Sequence, residues 1–419
     1  MNEEMIREAV RYFRSNSVYL KLFGEFRKKL ESLGRTGGTV NIESYSAEEL
    51  EALALFFGGL RKKKTISLIA FDKRLQETKF AGIGLPELLE AYFGEPIRSK
   101  KSVREEKREQ EEAKLEELGI VHPVLASYCD YLGKRTADAQ WIIRLLLTDD
   151  FTRSARLLAD AANALPETYE RLPMFSQRVS GNPHSFDLSG MNGKLLIHFL
   201  HFRLHGGGAP PSGTEEVNEL LLQFRILRDD ISNFVSFANL LGNRDGAVHP
   251  VWQAAVETES AVNMPLRELL TIDGARPAVG SDVYVIENSG VFSSLLDAVP
   301  AAPLVCTHGQ FKLAGLRLLD LLMESGYHIY YAGDFDPEGV AMAVRLLERH
   351  PGRVQLWRMD AESYAAAQSP VELGDRLKKL DSITHPDVQE LLLTMRKTGK
   401  AGYQEALLER MADELKEKY

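Results

Sequence analysis

The sequence predicts an α/β fold, a parallel sheet flanked by helices, on the C-terminal side and a mostly helical, winged-helix-like N-terminal half. From residue 281 onward, short apolar strands alternate with helices, which is the pattern of a parallel sheet with right-handed crossovers. Upstream, apolar residues recur mainly at helical spacing. The 419 residues are enough for several domains, which we place at 1–97, 98–270 and 271–419.

The first predicted domain contains a helix, a basic turn, a strand and a further helix, which suggests a winged-helix-like module. Ser46, with Glu49 three residues later, predicts a helix start with a capping box, and Gly58 predicts its end. The strand and second helix follow in "TISLIAFDKRLQET". The four cations between them are either DNA contacts or a solvated turn: Arg61, Lys62, Lys63 and Lys64.

The second predicted domain is mostly helical. Residues 98–119 are nearly all charged with both signs mixed, which favours a solvated helical connector over an arm that reaches a partner. A turn-rich break at 178–190 contains His184 and Asp187. These two side chains could be metal ligands, but a helix cap and a hydrogen-bonded histidine are the commoner roles.

The composition bounds the compartment and the partners. Only two cysteines are present, Cys129 and Cys306, which argues against a disulfide framework and fits a reducing cytoplasm. The start resembles an amphipathic helix rather than a signal peptide, and no apolar run approaches a membrane span. The formal net charge of −9 disfavours a protein that captures DNA alone, because DNA-binding faces are usually basic.

Three carboxylates follow strands of the predicted sheet. Glu287 ends the strand "VYVIE", and Asp334 with Asp336 follows the strand "HIYYAG". In an open parallel sheet these positions lie at the edge where chemistry takes place, so neighbouring strands would bring the acids together. Their mutual repulsion would be relieved by a divalent cation, and oxygen ligands select Mg²⁺ or Mn²⁺. We therefore expect Glu287, Asp334 and Asp336 to be both metal ligands and catalytic residues.

The spacing of these motifs resembles the toprim domain, in particular that of topoisomerase VI A subunits. The matching segments, within residues 281–360, are "VYVIENSGVF", "LVCTHGQFKLAGLRLLDLL" and "YYAGDFDPEGVAMA". Within that group the chain is similar to the JetD family, the nuclease subunits of the Wadjet plasmid-defence systems. The upstream "SGNPHSFD" and the closing "GKAGYQEALL" also fit that family.

The resemblance implies a Mg²⁺-dependent DNA endonuclease that cuts closed circular plasmid DNA. It also implies a homodimer and a condensin-like SMC complex, with motor, kleisin and accessory subunits, that presents the DNA. Asn182 stands where the family usually has Asp, so we assign the upstream turn no catalytic role. No tyrosine matches the topoisomerase nucleophile, which favours hydrolysis by water; the candidates weighed are Tyr12, Tyr19, Tyr45, Tyr128 and Tyr131.

Two other functions remain open at this point. A phosphatase with an aspartate nucleophile also uses two acids spaced this way after a strand, but it usually has Thr or Val where Glu338 stands, and it leaves Glu287 without a role. A non-catalytic, topoisomerase VI A-like DNA-binding assembly subunit could retain the acids as relicts.

Overall fold

The computed structural model describes residues 2–59 and 63–419, which form two compact units, Met1–Ala155 and Arg156–Tyr419. The α/β class is confirmed, and the large sheet lies in the C-terminal unit. Within the described ranges, no helix combines the length and the apolar character needed to cross a membrane. The finer division at residues 97/98 and 270/271 stays a prediction.

The N-terminal unit is mostly helical, with one small antiparallel sheet formed by its two strands. Its helices and strands are α1 (Asn2–Arg14), α2 (Val18–Leu33), β1 (Thr39–Asn41), α3 (Ala47–Phe57), β2 (Thr65–Ser67), α4 (Leu68–Leu75), α5 (Leu85–Phe93), α6 (Lys100–Val121), α7 (Ala126–Gly133), α8 (Gln140–Ile143) and α9 (Asp149–Asn163), the last of which contains the boundary between the units.

Local sequence rules explain the start and end of α3. The Ser46 hydroxyl accepts a hydrogen bond from the Glu49 amide at 3.1 Å, and the Glu49 carboxylate accepts one from the Ser46 amide at 2.7 Å. Gly58 ends the helix at φ 70°, a left-handed conformation that glycine adopts without strain. The predicted capping box and stop are confirmed.

The charged segment forms α6, and one edge of this helix is buried. Leu115 and Leu118 are buried, and so is Glu111, whose carboxylate is paired with the Arg135 guanidinium at 2.7 Å. The helix is therefore packed within its unit as well as solvated, a contact that a charge count alone does not predict.

The C-terminal unit contains the remaining elements. They are β3 (Glu170–Arg171), α10 (Leu172–Ser180), α11 (Met191–His205), α12 (Thr214–Gln223), β4 (Ile226–Leu227), β5 (Phe234–Ala238), β6 (Leu240–Arg244), β7 (Ala247–Val248), α13 (Pro250–Glu257), β8 (Val262–Pro265), α14 (Leu266–Leu269), β9 (Gly274–Pro277), β10 (Asp282–Ile286), α15 (Ser289–Ala298), β11 (Leu304–Cys306), α16 (Leu313–Glu324), β12 (His328–Ala332), α17 (Pro337–Arg349), β13 (Val354–Leu356), α18 (Ala361–Ala367), β14 (Gln368–Glu372), α19 (Gln389–Thr398), β15 (Lys400–Gly402) and α20 (Leu408–Lys418).

The large sheet has six strands in the order β13-β12-β10-β11-β5-β8. The first four are parallel, as predicted, but β5 runs antiparallel to β11, and β8 antiparallel to β5. The sheet is therefore mixed rather than parallel. Its last two strands come from the region predicted to be mostly helical, because the short apolar run of β5 has no periodicity that separates a buried strand from a buried helix.

Helices cover both faces of this sheet. Along β10, Val283 and Val285 belong to one apolar cluster with α16, whereas Tyr284 and Ile286 belong to a second cluster with α15 and α20. With both faces buried, the ends of the strands are the places where polar side chains reach solvent. The next residue along the chain after β10 is Glu287.

Candidate functional site at the carboxyl edge of the sheet

Glu287 and Asp334 lie together at the ends of two neighbouring strands. Strands β10 and β12 are paired in parallel with Ile286 opposite Ala332, and the Glu287 amide continues the ladder with a 3.2 Å hydrogen bond to the Ala332 carbonyl. The Asp334 amide donates a 3.1 Å hydrogen bond to Glu287 Oε2. The register of the sheet thus brings the predicted acids to one place.

Gly333 permits this close approach. A Cβ atom at this position would lie 2.7 Å from Glu287 Oε2 and 2.9 Å from the Tyr331 hydroxyl. A side chain here would have to displace the Glu287 carboxylate and the Tyr331 hydroxyl, because real Cβ atoms essentially never come within 3.0 Å of another heavy atom.

The electrostatics of the pair are unfavourable for two negative charges. Burial, followed by the charges of Asp334 and Asp336, raises the pKa of Glu287 to about 7, against the hydrogen bond from the Asp334 amide. Burial also raises the pKa of Asp334, with contributions from Glu405 and Asp336, although the Gln404 amide donates a 2.9 Å hydrogen bond to Asp334 Oδ1. Both carboxyl groups are therefore held partly out of water beside other acids.

Asp336 has different surroundings, because it caps a helix and is paired with a cation. Its Oδ1 accepts a 2.8 Å hydrogen bond from the Gly339 amide at the start of α17, and its Oδ2 accepts a 2.5 Å bond from Arg376. Arg376 also contacts Glu338 at 2.6 Å, and Lys379 contacts Glu338 at 2.7 Å. Hydrogen bonds from Lys379 and Arg376 lower the pKa of Glu338 to about 2.

This arrangement is not a formed metal centre. Among residues 2–59 and 63–419, no group of three or more His, Cys, Asp or Glu side chains is placed so that it could hold a metal ion. Each of the three acids is engaged with a donor of the protein: Asp336 with Arg376, Asp334 Oδ1 with the Gln404 amide, and Glu287 Oε2 with the Asp334 amide.

Tyr331 is the buried polar group of the site that the sequence did not reveal. Its side chain is fully buried, and its hydroxyl has no hydrogen-bond partner within the part of the chain that the structure describes. Burial and the charges of the three acids raise the pKa of this phenol well above its ordinary value. Because its side chain is fully buried, the Tyr331 hydroxyl is out of contact with solvent and with any substrate in this structure.

A small two-stranded sheet near the C-terminus, formed by β14 and β15, completes the site. Strands β14 and β15 are antiparallel, and the amide and carbonyl of Phe335 pair with those of Gly402 at 3.0 and 3.1 Å. This pairing places Gln404 and Glu405 beside the acids. These two short strands are not among the elements predicted from the sequence. A signal for the second of them is the glycine pair Gly399 and Gly402, which encloses only Lys400 and Ala401.

The other candidate residues lie elsewhere. Arg61 and Lys62 fall outside the described residues, and Lys63 and Lys64 are exposed in the N-terminal unit, where Lys64 pairs with Glu43 at 2.7 Å. His184 and Asp187 form an exposed 3.2 Å contact with each other in the turn between α10 and α11.

Comparison with known families divides the chain into two matched segments. Residues 36–242 match the model described as the N-terminus of a protein of unknown function (DUF3323), and residues 262–415 match the model described as the corresponding C-terminus (DUF2399). Together the two models match most of the chain. A search of the curated proteins finds no match. The acid cluster, the sheet of β14 and β15, and Tyr331 all lie in the DUF2399 segment, and the four cations at 61–64 lie in the DUF3323 segment.

Proposed function

We propose that the chain is a metal-dependent DNA endonuclease with a toprim nuclease domain, the nuclease subunit of a Wadjet-like plasmid-defence system. DUF3323 and DUF2399 together are typical of JetD-like proteins, in agreement with the sequence resemblance. In this proposal the N-terminal part acts as a winged-helix-like DNA-binding module.

One observation carries the catalytic part of the proposal: Glu287 and Asp334 meet at a strand edge, and no cationic side chain of the described residues is paired with either carboxylate. Among those residues, the hydrogen bonds that the two carboxylates accept come from backbone amides, and the pKa values of both groups are raised. A strongly perturbed titratable pair in such a position is typical of a functional site rather than a structural one.

The types of donor suit a divalent cation, although in this structure the described acids are not placed to hold one. The donor set is made of carboxylate oxygens, which hard cations prefer. A buried hydroxyl without a partner and a glycine with no room for a Cβ border the same carboxylate. Glu287, Asp334 and Asp336 would hold Mg²⁺ or Mn²⁺, for which Asp336 must exchange its contact with Arg376. A cation held there would act as a Lewis acid towards the scissile phosphate and would stabilise the charge that develops on it.

The chain's own groups would then orient substrate and move protons. Glu287 Oε2 is held by the Asp334 amide, so Oε1 is the atom at which Glu287 would take a proton from the attacking water. Arg376, once released from Asp336, is placed to contact a phosphate oxygen, because its guanidinium matches phosphate as well as carboxylate.

The substrate would be closed circular DNA presented by a condensin-like SMC complex. With 60 acidic and 51 basic residues, the chain carries a net charge of −9, which opposes capture of a polyanion. A partner that holds the DNA removes this barrier, and a homodimer would supply two sites for two strands.

A non-catalytic assembly subunit is the second candidate, and one observation favours it: the acids do not form a metal-holding group in this structure. The phosphatase function has less support. Its nucleophile would be Asp334, which is half-buried with a raised pKa and a bound Oδ1, and Glu338 is sequestered by Arg376 and Lys379.

Plasmid cleavage separates these candidates. Supercoiled plasmid is incubated with the full chain and Mg²⁺, with and without the partner complex, and the products are resolved on a gel. The nuclease proposal predicts nicked or linear product that EDTA abolishes. No cleavage under any of these conditions would favour the assembly subunit, and a trapped phospho-aspartate would favour the phosphatase.

A further inference from the structure

The loop after β11 carries a second group of polar residues that the proposed metal site does not use. The Thr307 amide continues the sheet ladder to the Ile286 carbonyl at 3.0 Å, and the Gly309 amide donates to the Glu287 carbonyl at 3.1 Å. His308 lies between these two anchors, in a left-handed conformation with φ 55°. The loop is thus attached directly to the backbone of Glu287.

The imidazole of His308 is fixed by the buried Ser236 hydroxyl, which is paired in turn with the exposed side chain of Asn263. Its Nε2 lies 2.5 Å from the Ser236 hydroxyl, which is buried in β5 and donates its own proton to the Asn263 side chain in β8. Because a hydroxyl has a single proton, Ser236 accepts from His308 Nε2–H. Within the described residues Nδ1 has no protein partner, and the side chain is exposed at the sheet edge.

Lys312 adds a positive charge to the same loop. Its ammonium lies 4.3 Å from the centre of the Phe234 ring, and the Phe234 ring contacts the His308 ring at 5.6 Å between centroids. No carboxylate lies within ion-pair distance of Lys312 in the described part of the chain. The charge of Asp229 is close enough to interact with that of Lys312, and its carboxylate also accepts the backbone amides of Ile231 and Ser232, while Glu215 accepts the Leu313 amide.

We propose that His308 and Lys312 form a DNA-phosphate subsite on the β11 side of the acid cluster. This inference rests on the proposed nuclease function and extends it to the substrate-contacting residues. Lys312 would supply the positive charge that the acid cluster lacks. His308 would supply a contact to the phosphate from a ring of fixed orientation. The orientation of the His308 ring depends on contacts that link the end of β11 to β5 and β8, and the His308 backbone is in a strained left-handed conformation. Backbone strain of this kind is typical of functional positions. The substrate backbone would cross the sheet edge from Lys312 towards Glu287.

The test measures DNA binding and cleavage separately. Binding of the full chain to a short duplex is followed by fluorescence anisotropy over a salt series without divalent metal. Lys312→Ala should lower the slope of log K against log salt by about 0.9, the value for one lost phosphate contact. Lys416→Ala, an exposed lysine that pairs with Asp413 on α20, is the matched control and should leave the slope unchanged.

Cleavage with the partner complex then tests His308. His308→Ala and Ser236→Ala should both slow cutting at saturating DNA at least tenfold, because either change frees or removes the imidazole, while the melting temperature of His308→Ala stays near wild type. A wild-type salt slope in Lys312→Ala, or wild-type cutting by His308→Ala, overturns the subsite. If wild type never cuts but Lys312→Ala loses slope, the nuclease function fails and the DNA contact stands.

Discussion

Two groups of acids in the C-terminal unit differ in whether cations balance them. Asp320 is half-buried, yet the bidentate hydrogen bonds from Arg349, 2.8 Å each, lower its pKa to about 2. Glu287 is also half-buried, but beside other acids, and its pKa is raised to about 7. The two carboxylates are chemically alike, and only their neighbours differ.

The difference separates acids that stabilise the fold from acids that are suited to bind a ligand. A buried carboxylate with a guanidinium partner favours folding, whereas a buried carboxylate beside other acids opposes it in the ionised form. Asp336 stands between the two cases, because Arg376 balances it and also contacts Glu338. Arg376 is thus the counter-ion of Asp336 in this structure.

The largest expected effect is on activity. Glu287→Ala should lower Mg²⁺-dependent plasmid cleavage by the complete complex at least 10³-fold, since it removes a predicted ligand and the predicted base. Asp320→Asn, assayed at a temperature at which it is folded, should cut at close to the wild-type rate. Gel quantification of linear product checks both. Equal activity of Glu287→Ala and wild type would contradict the proposal that the acids around Glu287, unlike Asp320, are functional.

The next effect is the dependence on a partner. Because the unbalanced acids and the net charge of −9 both repel DNA, the isolated chain should bind duplex weakly at physiological salt. We expect it to cut at least tenfold more slowly than the complex. Nanomolar binding, or efficient linearisation without any partner, would contradict this prediction.

Stability should respond with opposite signs in the two groups. Without metal at pH 8, Glu287→Gln should stabilise the C-terminal unit, by up to about 3 kcal/mol, because it removes a charge whose pKa is raised. Asp320→Asn should destabilise it by about 2 kcal/mol, because it removes a charge whose pKa is lowered. Thermal unfolding measures both, and shifts of the same sign would contradict the comparison.

The pH dependence gives the control for this pair. The raised pKa of Glu287 means that its penalty develops as pH rises from about 4.5 to about 7, so the gain from Glu287→Gln should fall to about 1 kcal/mol at pH 5. The lowered pKa of Asp320 means that its contribution is lost only as pH falls from 3.8 towards 2, so the loss in Asp320→Asn should persist at pH 5.

The smallest effect concerns Arg376. If this arginine competes with a cation for Asp336, Arg376→Ala should tighten Mn²⁺ binding a few-fold, about 1 kcal/mol. Lys379→Ala is the matched control, because Lys379 contacts only Glu338 in this group. Metal titrations followed by calorimetry compare the two. Weaker binding in Arg376→Ala would show that Arg376 supports the site rather than competes for it.

The sequence predicted the strand ends well and the long-range packing poorly. Glu287 and Asp334 follow strands with clear apolar patterns, so their place at the sheet edge could be predicted from local rules. The contributions of Tyr331, Arg376 and Gln404 could not, because each depends on a contact between distant segments. Tyr331 in particular reads as an ordinary residue of a buried strand, and only the register with β10 places its hydroxyl beneath the acids.

The same reason explains the strands that were missed. Periodicity predicts elements that bury one face, but β5 is buried on both faces, and β14 with β15 is too short to show a period. The position of β15 beside Phe335 follows from the pairing of Phe335 with Gly402, a tertiary contact that no local pattern encodes.

Metal binding to the full chain tests the central claim most directly. Mn²⁺ is titrated while the melting temperature is recorded for wild type, Asp334→Asn, Asp336→Asn and the control Asp320→Asn. At a concentration 100 times Kd, specific binding should stabilise wild type by about 2.7 kcal/mol, and Asp320→Asn should gain as much. Asp334→Asn and Asp336→Asn should lose most of this shift. An equal metal-induced shift in all four proteins would show that the unbalanced acids are not the metal site.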